Sequence, residues 1–155
     1  MDTDSAADQV ALRALQSAYG DAVTRQDWPA VVALFVPEAT VTLELGRGEP
    51  RVLGPVELVA FVEQAVSRFE LFLFTILNQV VAPDGDGATG RLYLAEVRQD
   101  HDGRASVAYG CYHDRYVRTS EGWRIAARRY RSMARTATPG STTDLEVVRH
   151  EVPDR

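Results

Sequence analysis

The hydrophobic pattern changes period near residue 70, and that change limits the possible fold more than any other feature. Before it, apolar residues recur at helical spacing. After it come four long stretches of strand character: FELFLFTILNQVV, GATGRLYLAEVRQ, RASVAYGCYHDRYVRT and GWRIAARRYRSMA. The breaks between them carry turn chemistry, at Pro83-Asp84-Gly85-Asp86-Gly87, Asp100–Gly103 and Ser120-Glu121-Gly122. Connections this short favour antiparallel neighbours. Helices first and a long meander afterwards is the α+β arrangement.

The first part of the chain supplies three helices. Over 5–25, Leu12, Leu15, Tyr19, Ala22 and Val23 share one face, and Asp4 or Ser5 can cap the start. Asp27 can cap a second helix over about 29–36, with Pro29 tolerated in its first turn. ATVTLEL at 39–45 alternates as a strand, Gly46-Arg47-Gly48 turns it, and Arg51–Leu53 can pair back. Gly54-Pro55 opens a third helix over about 55–68 that buries Leu58, Phe61, Val62 and Ala65. A single domain over 1–136 is expected, followed by a mobile or arm-like tail over 137–155 in which 145–148 can form a short strand. A sheet curved around the helices would enclose a cavity, whereas a flat sheet with helices on one face fits the pattern equally well.

Charge and composition remove several function classes. The formal net charge is −5, so no basic excess is available for phosphate neutralisation and no nucleic-acid partner is expected. The acidic start MDTDSAADQ has neither the basic nor the apolar region of a secretory signal, and no apolar run reaches membrane-span length. A cytoplasmic location without membrane association is the expectation. Cys111 is the single cysteine, which excludes an intrachain disulfide. His101, His113 and His150 show no ligand spacing, and phosphate-cradling glycine motifs are missing, so no metal or other cofactor is expected.

LFVPEATV at 34–41 and YHDRYVRTSEGWRI at 112–125, together with the order of elements around them, resemble the SnoaL-like family of the nuclear-transport-factor-2-like superfamily. That superfamily includes polyketide cyclases, ketosteroid isomerase and scytalone dehydratase. The resemblance covers about residues 8–135. It implies a cone-shaped, curved antiparallel sheet of six strands wrapped around three helices, with a deep apolar pocket. It also implies a homodimer packed through the outer sheet face.

Within the resemblance, Asp114 takes the acidic position of the YxDR strand, which implies a general acid/base. Strand alternation puts Tyr112, Asp114 and Tyr116 on one face, where two aromatic rings would desolvate the carboxylate and raise its pKa. Arg128 takes the position of a pocket arginine able to stabilise an oxyanion, and Tyr19 that of a phenol donating to an enolate. If Asp114 and Arg128 both point inward, a salt bridge between them is the alternative, and Asp114 then braces rather than reacts. Tyr112, Tyr116, Trp28, Phe74 and Asn78 are the expected substrate-binding residues.

Departures from the family matter as much as matches. The aspartate–histidine dyad of dehydratase-type members falls on Thr24 and Phe74, neither of which transfers a proton near pH 7. The isomerase aspartate falls on Leu43, and the neighbouring Glu44 lies on the opposite strand face. The reading is a cofactor-independent cyclase, isomerase or lyase acting on a hydrophobic polyketide-like or polycyclic molecule. The alternative is a non-catalytic binding or assembly module, such as an oxygenase small-subunit-like scaffold.

Overall fold

The computed structural model describes residues 3–138, 140–141 and 143–150. Two helices open it, α1 (Thr3–Thr24) and α2 (Trp28–Ala33). Strands β1 (Phe35–Glu44) and β2 (Arg51–Leu53) follow, then α3 (Pro55–Val66). The meander comprises β3 (Phe69–Asp84), β4 (Gly87–Asp100), β5 (Ala105–Thr119) and β6 (Gly122–Thr136), and β7 (Leu145–Val147) closes the chain.

Local chemistry sets the helix boundaries. α1 ends where Gln26 adopts a left-handed φ of 58°, and the Asp27 amide donates back to the Ala22 carbonyl at 2.9 Å. The Asp27 carboxylate then accepts from the Ala30 amide at 3.2 Å and caps α2. α3 begins at Pro55, whose fixed φ suits the first helical position. The second helix is shorter than its apolar pattern suggested. Phe35 leaves it because the chain there joins the sheet, with the Ile125 amide bonding the Leu34 carbonyl at 2.9 Å.

The strands form one curved, unclosed sheet in the order β2-β1-β6-β5-β4-β3, with β7 added against β6. The sheet is mixed rather than wholly antiparallel, because β1 runs parallel to β6. It has seven strands, one more than the family resemblance implied. The extra one is β7, which pairs Leu145–Val147 with Thr136–Ala134. The chain beyond the meander is therefore partly docked: Glu146 binds Arg47 at 2.9 Å, and the His150 Nε2 lies 2.7 Å from the Ser132 carbonyl oxygen. Residues 151–155 of the expected arm lie outside the described residues.

The helices fill the concave side. Leu12, Leu15, Tyr19, Ala22 and Val23 of α1 pack with Val41, Leu58, Leu92, Tyr112 and Ile125 into one core. The opposite face carries exposed Leu71, Leu73, Leu77, Val80 and Val97.

Bulges decide which side chains face the concave side. Adding one residue to a strand reverses the facing of everything beyond it. Opposite Arg115–Tyr116, β6 carries one extra residue, Ala126. Trp123 and Ile125 therefore point inward before it, and Arg128 and Tyr130 point inward after it. A second extra residue, Met133, keeps Ser132 and Arg135 both on the inner face. In β3 the extra residues are Glu70 and Leu77, so Phe69, Phe72 and Phe74 turn inward while Asn78 is carried to the outer face.

Candidate active site

The inner face of β4, β5 and β6 reads as successive rows of side chains. Gly90, Asp114 and Arg128 form the first row, and Leu92, Tyr112 and Tyr130 the second. Leu94, Gly110 and Ser132 form the third, and Glu96, Ala108 and Arg135 the fourth. Six residues separate Gly90 from Glu96, about 20 Å along an extended strand. Two glycines make room for the aromatic residues. A Cβ on Gly90 would lie 2.8 Å from the Tyr116 ring, and one on Gly110 would overlap the Tyr130 ring.

In the first row, Asp114 and Arg128 form a bidentate pair, with Nε to Oδ1 at 2.8 Å and Nη2 to Oδ2 at 2.7 Å. The Asp114 side chain is fully buried and that of Arg128 nearly so. Gln16 of α1 completes the cluster. Its amide nitrogen donates to Asp114 Oδ2 at 2.6 Å and to the Tyr116 hydroxyl, and its carbonyl accepts from Arg128 Nη2 at 2.8 Å. Tyr116 also donates to Asp114 Oδ2, at 2.8 Å. Burial opposes the charge on Arg128, but the adjacent Asp114 carboxylate outweighs it and raises the guanidinium pKa. Burial, reinforced by the same carboxylate, raises the Tyr116 phenol and keeps it protonated.

The cavity begins where this cluster ends. It has a volume of about 200 Å³. Apolar residues of β1 and α3, among them Val41, Leu43, Leu58 and Phe61, form one wall, and the inner rows of the sheet form the other. Arg128 closes the deep end. Its Cζ lies 3.9 Å from the Tyr112 ring centre and 4.3 Å from that of Tyr19, a cation–π arrangement at van der Waals range. Its Nη1 is buried without a hydrogen-bond partner among the described residues. Tyr112 and Tyr130 stand midway, with both phenol pKa values raised by burial. The opposite end holds Glu96, Arg98 and Arg135, whose side chains are 25%, 20% and 24% exposed. Burial raises the Glu96 pKa from its ordinary value, and Arg98, with Nη1 3.6 Å away, offsets only part of the effect.

The residues singled out in the sequence distribute as follows. Tyr19, Tyr112 and Arg128 line the cavity. Asp114 and Tyr116 sit behind it in the buried cluster, where the bracing salt bridge is the geometry present. Trp28 and Phe74 pack against the core, Phe74 with its ring 5.6 Å from Tyr19 and 6.1 Å from Tyr112, and neither lines the cavity. Asn78 is exposed on the outer face, because the Leu77 bulge reverses its direction. Thr24 and Phe74, at the positions of the dehydratase-type dyad, still touch: the Phe74 amide donates to the Thr24 hydroxyl at 3.1 Å. A structural contact thus occupies the place of that dyad. Glu96 pairs directly across the sheet with Phe74, so a carboxyl stands one strand over from the missing histidine.

Gln16 and Glu96 were not singled out from the sequence, although each left a signal. Gln16 is a polar residue within the apolar stripe of α1, four after Leu12 and three before Tyr19. Glu96 continues the inward alternation of Leu92 and Leu94. Among the described residues no group of three or more histidine, cysteine or acidic side chains is arranged to hold a metal ion. No described helix is long and apolar enough to cross a membrane.

Known structures share this architecture. A presumed aromatic ring hydroxylase from Novosphingobium aromaticivorans is 27% identical, with a TM-score of 0.73 over 84% of this chain and 93% of that one. A presumed scytalone dehydratase from the same organism is 18% identical, with a TM-score of 0.76 over 88% and 92%. A hexachlorocyclohexane dehydrochlorinase is 13% identical, with a TM-score of 0.73 over 90% and 93%. At 18% and 13% identity the last two establish the fold alone. No curated protein matches the sequence. The SnoaL-like domain matches residues 4–129, most of the chain, and the chain belongs to that family.

Proposed function

We propose that the protein is a cofactor-independent lyase or isomerase acting on a compact hydrophobic molecule, with Glu96 moving the proton. One observation carries this reading: an apolar, aromatic-walled cavity contains a carboxyl whose pKa is raised by burial. A carboxylate made more basic in this way is suited to proton abstraction near neutral pH. Tyr112 and Tyr130, kept protonated, are donors for an oxygen on which charge develops. Arg128 Nη1 offers a further N–H at the deep end. The names dehydratase and dehydrochlorinase among the structural relatives agree with elimination chemistry.

In the chemical step, the Glu96 carboxylate takes a proton from carbon. The C–H electron pair becomes the new double bond of an enolate, whose oxygen accepts from the tyrosine hydroxyls. Isomerisation ends when Glu96 returns the proton to a different carbon. Elimination ends when a leaving group departs with its electron pair. Asp114 takes a supporting part in this reading, because its oxygens already accept four hydrogen bonds and it holds Arg128 in place. The substrate is smaller than a polycyclic polyketide. The cavity is only modestly larger than the roughly 150 Å³ void that admits benzene, which suits one ring with substituents or a compact bicycle.

The reading is tested by hydrogen–deuterium exchange at the α-carbon of 2-tetralone in D2O, followed by NMR. The wild-type chain should accelerate exchange above the buffer rate. Glu96→Gln should lose about a hundredfold or more of that gain, the scale of one positioned acid/base. Exchange unaffected by the substitution would overturn the assignment of Glu96. The assembly-module alternative draws on the exposed outer row of Leu71, Leu73, Leu77 and Val80, which is also where a second copy would pack. Light scattering of wild type against Leu73→Lys checks that pairing, and loss of a dimer is the expected result.

A further inference from the structure

We infer that the ligand of this cavity carries a carboxylate, held between Arg98 and Arg135 over Ala108. The inference rests on the cavity proposed above as the active site and adds the chemical class of its ligand. Glu96, Ala108 and Arg135 occupy one row across three adjacent strands. Neighbouring strands lie about 4.8 Å apart, so the two charged residues are separated by about 10 Å at the backbone. The residue between them is an alanine, which leaves a slot open to the cavity it lines. Arg98 flanks that slot from the next row, where its Nε donates to Ser106 at 3.2 Å.

The charges at this end do not cancel. Arg128 is matched by Asp114 at the deep end and contributes little net field. At the open end, Glu96 faces two guanidinium groups. Arg135 has one acidic neighbour besides, Glu146, at 3.8 Å, and the same Glu146 oxygen is held by Arg47 at 2.9 Å. The Arg135 Nη2 bonds the Leu45 carbonyl at 3.2 Å, while its Nε, the atom 3.8 Å from Glu146, makes no hydrogen bond among the described residues. A planar guanidinium whose only acidic contact among the described residues is a long one, at the rim of an apolar chamber, fits a carboxylate better than a neutral group. The apolar body of the ligand then enters past Phe69 and Phe72, whose rings stack at 6.2 Å.

The test is a fluorescence titration with two probes of the same shape, 2-naphthoate and the neutral 2-naphthamide, at low ionic strength. The acid should bind at least tenfold more tightly than the amide. Arg135→Gln and Arg98→Gln should each bring the acid down to the affinity of the amide and leave the amide unchanged. Glu96→Gln removes the opposing charge and should tighten binding of the acid alone. Ala108→Leu fills the slot and should weaken the acid more than the amide. Equal affinities for the two probes, or a ratio that survives both arginine substitutions, would overturn the carboxylate inference and leave the cavity reading standing. Failure of both probes to bind would overturn the cavity reading itself, and this inference with it.

Discussion

Substituting Asp114 by Asn keeps the shape of the side chain and removes its charge. The consequence is large because of where that charge sits. The carboxylate is fully buried and accepts four hydrogen bonds, two from Arg128 and one each from Gln16 and Tyr116. After the substitution the Arg128 guanidinium remains buried with its counter-charge gone. Breaking a buried ion pair from one side costs about 3–5 kcal/mol. Against a total stability of about 5–15 kcal/mol that is a large fraction. In a chain of this length each kcal/mol moves Tm by about 2–4 °C, so a fall of roughly 6–20 °C is expected. The assay is urea unfolding with thermal melts alongside, and the urea midpoint should drop with its slope unchanged. A second variant separates pair from charge. Replacing both members, Asp114→Leu with Arg128→Met, leaves no orphaned ion and should recover most of the loss. A single-variant cost below about 1 kcal/mol, the range of an exposed pair, would refute the reasoning, as would a double variant as unstable as the sum of the singles.

Gln16→Ala should cost about 1–3 kcal/mol in the same unfolding assay, because it leaves buried partners on Asp114, Arg128 and Tyr116 unsatisfied. Gly110→Ala places a methyl group against the Tyr130 ring and should cost about 1–3 kcal/mol through overpacking, with Tyr130→Ala in the same chain relieving the clash. Glu96 has a folded-state pKa raised above its unfolded value near 4.5, so the folded chain holds that proton more tightly. Its contribution to stability therefore falls as pH rises from the unfolded pKa through the folded one. Midpoints measured across that window should decline less in Glu96→Gln than in wild type.

The fold was legible in the sequence because it depends on period. Leu12, Leu15, Tyr19, Ala22 and Val23 at helical spacing did become the buried face of α1. The turn residues at 83–87 and 120–122 did separate long paired strands. The parallel pairing of β1 with β6 left no such mark, because alternation within a strand does not encode which neighbour lies beside it. The helix-to-strand change at Phe35 was hidden for a related reason: apolar residues at 31–35 serve a helix face or a buried strand equally well.

The site was less legible because it depends on parity, and extra residues such as Ala126, Met133 and Leu77 reset parity. Trp123 and Arg128 are an odd number of residues apart, so an unbroken strand would put them on opposite faces. Ala126 is what places both inside. Phe74 and Asn78 are an even number apart and should share a face, yet Leu77 separates them. A bulge such as these leaves no composition signal, since alanine, methionine and leucine are ordinary strand residues in this chain. Where no bulge intervened, as from Leu92 through Leu94 to Glu96, plain alternation was enough to place a carboxyl in the cavity. The acidic residue that the family motif brings forward, Asp114, is the one the fold surrounds with donors. The one left facing the apolar chamber is a glutamate directly across from a phenylalanine. Proton transfer needs a carboxyl that substrate can reach and whose charge is not already neutralised, and of these two only Glu96 lines the cavity while its nearest cation lies beyond hydrogen-bonding distance.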